Sequence, residues 1–222
     1  MKKLYWLVLA VLLSGCGSAD SPLDELRFAT AVPGQGLGEI RLGSQQLGPF
    51  ADRFGVRGVA AVFTDEDAEL ELLYATEGLH FNFRLNDACY QATRHLGARL
   101  AREMFNPSKF FASYPVCREA ILSRILVGVN GRDEAWWQGA TVSGSRLGDL
   151  WADVMVNEGT PQEHGLGYLA LQRTQRQQLE SLKYYDGLEV YFLYLDSGQP
   201  EEEADRMAMT ARYFEIWPAR NW

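Results

Sequence analysis

The feature that most constrains this chain is an internal match of the sequence to itself. Residues 38–52, GEIRLGSQQLGPFAD, run against 139–153, GATVSGSRLGDLWAD, at an offset of 101. Gly38/Gly139, Gly43/Gly144, Ser44/Ser145, Ala51/Ala152 and Asp52/Asp153 coincide, with Phe50 opposite Trp151. Two further blocks follow in the same order. LYATEGLHFNF (73–83) matches LKYYDGLEVYF (182–192) at offset 109, and Lys109–Pro115 matches Arg212–Pro218 at offset 103. The step from 101 to 109 needs eight extra residues, which fit in VNEGTPQEHGL (156–166), a stretch of loop composition. A tandem duplication accounts for this order; the competing account is two unrelated segments of similar patterning.

Each copy reads as a mixed unit. A short strand (Glu39–Leu42; Ala140–Ser143) leads to Ser44 or Ser145 as helix N-caps, then helices over 45–54 and 146–156. Strands follow at Val59–Thr64, Glu69–Ala75 and Leu79–Leu85, and at Tyr168–Arg173, Lys183–Tyr185 and Leu188–Leu195. The closing strands are Phe110–Tyr114 and Tyr213–Trp217. Over 79–85 the alternation is strict, with Leu79, Phe81, Phe83 and Leu85 on one face and His80, Asn82 and Arg84 on the other. Such a strand belongs to a sheet covered on one side and wet on the other. Asp87–Met104 predicts one longer helix capped by Asp87, and Arg118–Leu126 predicts a helix before the turn pair Asn130-Gly131. Glu201–Arg206 reads as a short acidic helix. The expected fold class is α+β: two tandem repeats, each a short helix or helix pair packed on one face of an antiparallel sheet.

The N-terminus carries an address. Lys2 and Lys3 precede an apolar run from Leu4 to Leu13, too short for a membrane span of roughly 20 residues and suited to a signal-peptide h-region. Leu13-Ser14-Gly15-Cys16 then resembles the lipobox of bacterial lipoproteins. That resemblance implies cleavage before Cys16, acylation of Cys16, and, with Gly17 rather than Asp beside it, delivery to the outer membrane of a Gram-negative cell, facing the periplasm. Removal of residues 1–15 leaves 19 basic and 29 acidic side chains, a net of −10 against −8 for the whole chain. Lipid rather than charge must therefore hold it at an anionic membrane. The same acidity, with no basic block, argues against nucleic acid. Cys89 and Cys117 are left as a pair; an oxidising compartment favours a disulfide, the alternative being two buried free thiols.

The G-x-I-x-L-G-S run before a helix and the later L-Y-x-x-x-G-L-x-F-x-F are similar to small envelope lipoprotein domains. Two such units in tandem resemble the architecture of beta-lactamase inhibitory proteins and of outer-membrane assembly lipoproteins. The resemblance rests on packing and turn signals and carries no catalytic residues over. The expected layout is 1–15 signal peptide, 16–32 lipid-anchored tether, 33–115 first repeat, 116–133 connecting segment, 134–218 second repeat and 219–222 tail.

Motif chemistry is thin. No G-x-S-x-G, H-E-x-x-H or G-x-x-x-x-G-K-[ST] occurs. Gly34-Gln35-Gly36-Leu37-Gly38 lacks dinucleotide spacing, and Asp52 and Asp153 are as readily helix-surface acids as paired catalytic carboxylates. Neither a cofactor nor a metal is expected. The leading expectation is a non-catalytic protein-binding module, in its sharper form an inhibitor or immunity protein for a basic enzyme or toxin. Its partner surface would use His80, Asn82 and Arg84 with their counterparts Glu189 and Tyr191, and the aromatic pair Trp136-Trp137. A periplasmic hydrolase and a structural outer-membrane assembly factor are the competing classes.

Overall fold

The structure, a computed structural model, describes residues 21–63, 68–128, 135–172, 175–193 and 209–219. Cys16, the Asn130-Gly131 turn, the acidic helix over Glu201–Arg206 and Trp222 lie outside the described residues. Three two-residue strands, β1 (Ala31–Val32), β2 (Gly36–Leu37) and β3 (Ile40–Arg41), make a small sheet. It leads into helix α1 (Leu47–Phe54). Then come β4 (Val59–Phe63), β5 (Ala68–Tyr74), β6 (Leu79–Arg84), α2 (Asp87–Thr93), α3 (Arg99–Met104), α4 (Pro107–Ser113) and β7 (Ile121–Gly128). The second half supplies α5 (Trp151–Glu158), β8 (Glu163–Gln172), β9 (Gln175–Tyr184), β10 (Leu188–Leu193) and β11 (Thr210–Ile216).

Strands β4 to β11 form one antiparallel sheet of eight, in the order β4-β5-β6-β7-β11-β10-β9-β8. In chain order each half runs from an outer edge inward, β4 to β7 and β8 to β11, so β7 and β11 meet at the centre. The pattern of side chains explains which face is covered. In β5, Ala68, Leu70, Leu72 and Tyr74 are buried at every second position, as are Leu79, Phe81 and Phe83 in β6 and Leu188, Val190 and Phe192 in β10. On this face α1 sets Phe50 against Phe81 at 4.7 Å and Phe83 at 5.2 Å, and α5 sets Trp151 against Phe192 at 4.6 Å. Such ring pairs add about 0.5–1.5 kcal/mol each beyond the area they bury. Cys89 at the start of α2 is bonded to Cys117, with Cα atoms 4.7 Å apart. The disulfide ties the helical excursion between β6 and β7 to itself.

Four local expectations are corrected. Phe110–Tyr114 is not a strand: Asn106 caps α4 by accepting from the Lys109 N–H at 3.2 Å, and Pro107 at the first helical position favours the helix. Arg118–Leu126 is not a helix. Ile121–Gly128 is the strand β7, paired on both sides, where Ile121, Ile125 and Val127 supply β-branched residues to a pleated surface. The fourth strand of the first half therefore falls within 116–133. The helix expected over Asp87–Met104 breaks after α2, because Gly97 turns the chain with φ +50, and its N-cap is Asn86 rather than Asp87. Ser44 and Ser145 cap nothing: Gln46 and Leu150 precede α1 and α5 without a side-chain cap.

Candidate functional site

Among the described residues, no helix lies over the other face around β6, β7, β10 and β11, and the side chains there are polar. His80, Asn82 and Arg84 project from β6 onto it, and Glu189 and Tyr191 from β10, as the alternation requires. Between the two sets lie β7 and β11, and each carries a bulge where it pairs with the neighbouring strand of its own half. In β7 the register shifts opposite Asn82/Phe83, so Leu122 pairs with Phe83 and Arg124 with Asn82, leaving Ser123 unpaired. Consecutive Ser123 and Arg124 both turn to the open face. In β11 the shift lies opposite Tyr191/Phe192 and leaves Arg212 unpaired.

A hydrogen-bonded chain then crosses the centre of the sheet. Asn82 Nδ2 donates to Glu69 Oε2 at 3.2 Å, and Ser123 Oγ donates to Glu69 Oε1 at 3.0 Å. Arg124 forks, with Nη2 on Glu69 at 3.2 Å and Nη1 on Glu215 at 3.1 Å. Tyr191 OH donates to the second oxygen of Glu215 at 2.6 Å. Beyond it, Ser181 Oγ donates to Glu189 Oε1 at 2.6 Å, while His80 Nδ1 lies 2.9 Å from Glu71 Oε1. Lys183 sits 5.6 Å from the Trp217 ring centre and 3.7 Å from Glu163. Of these groups Glu69, Ser123, Arg124, Glu215, Glu189 and Lys183 line a concavity of about 660 Å³ that draws on both halves of the sheet.

Electrostatics follow from the crowding. Burial pushes the Glu189 carboxyl above its usual range, Ser181 pulls it back, and Glu215 pushes it up again. Burial and the carboxylates of Glu215 and Glu189 hold the Tyr191 phenol protonated. For Arg124, burial disfavours the charge, but Glu215 and Glu69 outweigh it and the guanidinium pKa rises. The arrangement can accept and donate hydrogen bonds from a fixed, preorganised pattern of charge.

His80, Arg84, Glu189 and Tyr191 thus share one face, and Asn82 does too, although its side chain is covered. Trp137 is a correction. It is 1% exposed, its Nε1 donates to the Ala29 carbonyl at 3.0 Å, and its ring meets Phe214 edge-on on the helix-covered side. Trp136 is half-buried against the same core. Neither belongs to the open face. Sequence reasoning missed Glu69, Ser123, Arg124, Lys183 and Glu215. Glu69 and Glu215 alternate with buried residues in strands that were expected, so the period-2 pattern signals them. Arg124 was hidden by the helical reading of its strand.

Among the described residues, no three carboxylate, imidazole or thiol groups converge as a metal site, and no helix is long and apolar enough to cross a membrane. Comparison with protein-family models, curated proteins and solved structures finds no match to this chain.

Proposed function

We propose that this protein is a lipid-anchored envelope protein that binds another protein through the uncovered face of its sheet. The observation that carries the reading is the concavity of about 660 Å³ whose charged groups come from both halves and are held in place by one another. A preordered polar surface loses little entropy when a partner docks. A net charge of −10 on the chain from Cys16 onward would steer it toward a basic partner, which suits an inhibitor or immunity protein. Cys16 carries the anchor at the outer membrane, on the periplasmic side; Leu13-Ser14-Gly15-Cys16 and Gly17 support this.

The two halves descend from one duplicated unit. In support, each runs helix, three strands, then a later strand, and the bulges opposite Asn82/Phe83 and Tyr191/Phe192 stand 109 residues apart, as the sequence match does. The counterpart of β11 in this reading is β7.

Site-specific photo-crosslinking in the envelope tests the reading. A photoreactive residue at Arg84, beside the concavity, should capture a basic protein. The same residue at Val156, 82% exposed on α5 across the sheet, should not. Capture from position 156 alone would overturn the choice of face. Cys16→Ser should release the chain from the membrane fraction; unchanged retention would overturn the anchor.

A further inference from the structure

Two tyrosines end equivalent hairpin strands and are treated differently. Tyr74 ends β5 and Tyr184 ends β9, and both are buried on the helix-covered face. Tyr74 OH donates to the carbonyl of Gly55, the glycine that terminates α1, at 2.7 Å. Close by, Arg57 pairs with Glu77, the acid of the turn that follows. Tyr184 is 4% exposed, and its hydroxyl is buried with no hydrogen-bond partner. A buried hydroxyl left unmade costs about 1–3 kcal/mol, so such an atom calls for an explanation.

The corner around Tyr184 differs in charge from the corner around Tyr74. Helix α1 ends in Phe54 before Gly55; α5 ends in Glu158 before Gly159. Two residues past the glycine stands Arg57 in the first case and Pro161 in the second. Asp186, in the turn after Tyr184, adds a second carboxylate. Burial, then Glu158 and Asp186, push the Tyr184 phenol pKa up; burial, then Glu158, push that of Asp186 up. Glu158 also sits at the C-terminal end of α5, the negative end of the helix dipole. Its partner is the neutral Thr141 hydroxyl. Beside that, Ser145 Oγ is also buried without a partner. No Lys or Arg among the described residues pairs with Glu158 or Asp186.

We propose that Glu158, Asp186 and the Tyr184 hydroxyl form a binding site for a hard divalent cation, calcium fitting best. Carboxylates are the principal donors to such ions, the Tyr184 hydroxyl adds a further oxygen, and calcium tolerates an irregular shell completed by carbonyls and water. The cation does at this corner what the Arg57 guanidinium does at the other. With only two carboxylates the affinity falls in the weak range of extracellular sites, about 10⁻⁴–10⁻³ M.

Calorimetric titration of the full chain with CaCl2 at constant ionic strength, after EDTA treatment, tests this, followed by thermal unfolding. The expected result is one calcium per chain and a Tm rise of about 3–6 °C at saturation. Asp186→Asn, in the turn between β9 and β10, should abolish both responses and should melt above the parent in EDTA. Glu158→Gln should behave alike. Magnesium in a parallel arm should bind more weakly. The parent should show a calcium-induced tyrosine near-UV difference that Tyr184→Phe removes. Absence of any heat and Tm shift would mean a bridging water only and would overturn the site. So would a calcium response of equal size in Asp186→Asn. The site faces away from the concavity and needs no partner, so its failure leaves the open-face reading standing.

Discussion

Glu189 and Glu215 stand directly opposite each other on β10 and β11, both on the uncovered face of the sheet. Like charges so placed repel. Glu215 is compensated by Arg124 and hydrogen-bonded by Tyr191, whereas Glu189 accepts from the neutral Ser181 hydroxyl, with Lys183 as its other cross-strand neighbour.

The pH dependence of Glu189 has a definite sign. Its folded pKa is raised by burial and by Glu215, so the folded state binds more protons than the unfolded one just above the ordinary carboxylate range. Stability is therefore lost as pH rises through that window, and the penalty is complete above the raised value. Glu189→Gln should be more stable than the parent at neutral pH, with the gain vanishing below the ordinary carboxylate range. Urea unfolding at both pH values measures it; an equal difference at both would count against the burial account.

Removing the fork at the centre of the sheet should be costly. Glu69 and Glu215 side chains are 15% and 14% exposed and would lose their shared cation. Because the Arg124 side chain is itself 43% exposed, solvent screens part of the effect. Arg124→Met should cost about 1–2 kcal/mol in denaturant unfolding, and adding Glu69→Gln should recover part of it. Arg124→Lys should restore less than half, since a single ammonium does not match two carboxylates as a planar fork does.

The seam between the halves is also a matter of shape. A Cβ on Gly128 would lie 2.0 Å from Cδ1 of the Tyr213 ring, its cross-strand neighbour. Gly128→Ala should destabilise by about 1–3 kcal/mol. Combining it with Tyr213→Ala should bring a coupling energy back in a double-mutant cycle; simple additivity would refute the contact.

The disulfide closes a loop of 28 positions between Cys89 and Cys117. Replacing both by Ala should lower stability by about 3–4 kcal/mol, the size of the chain-entropy term, as read from the urea midpoint.

The sheet was legible where neighbours along the strand told the whole story. In Leu79–Arg84 and Leu188–Leu193 every second residue is apolar, and pattern alone places Phe81, Val190 and Phe192 inside. The turn glycines Gly78 and Gly187 keep positive φ, so their Gly-Leu match marked a true backbone constraint. One strand earlier the match slips. Tyr74 pairs with Leu79 and Tyr184 with Leu188, so the second turn is one residue shorter and these strand ends stand 110 positions apart. Between β6 and β7 the reading failed for a physical reason. Leu122 and Leu126 are spaced as in a helix, and what makes Ile121–Gly128 a strand is pairing to β6 and to β11, the latter contributed by residues some 85–91 positions away. Phe110 and Phe111 are both buried in α4, and adjacent aromatics look the same in a strand or a helix. The site inherited these errors: His80, Arg84, Glu189 and Tyr191 were visible on their own strands, while Arg124, which joins them, was not.

The meeting of β7 with β11 also sets an order of events during folding. Each three-strand meander, β4-β5-β6 and β8-β9-β10, closes through short turns, whereas the central pairing joins Gly128 to Tyr213 and Ile125 to Ile216 across most of the second half. Contacts of that span form late, because the loop entropy is lost before any pairing repays it. A chain emerging from its N-terminus therefore completes β7 long before β11 exists. In that interval Ile121, Ile125 and Val127 lie on an unpaired edge, the kind of surface on which nascent chains stick to one another. The bulge that turns Ser123 and Arg124 to the same side breaks the regularity of that edge while it waits. Residues that shape the polar concavity of the finished molecule thus stand next to Ile125–Gly128, the stretch of edge that the unfinished chain leaves open.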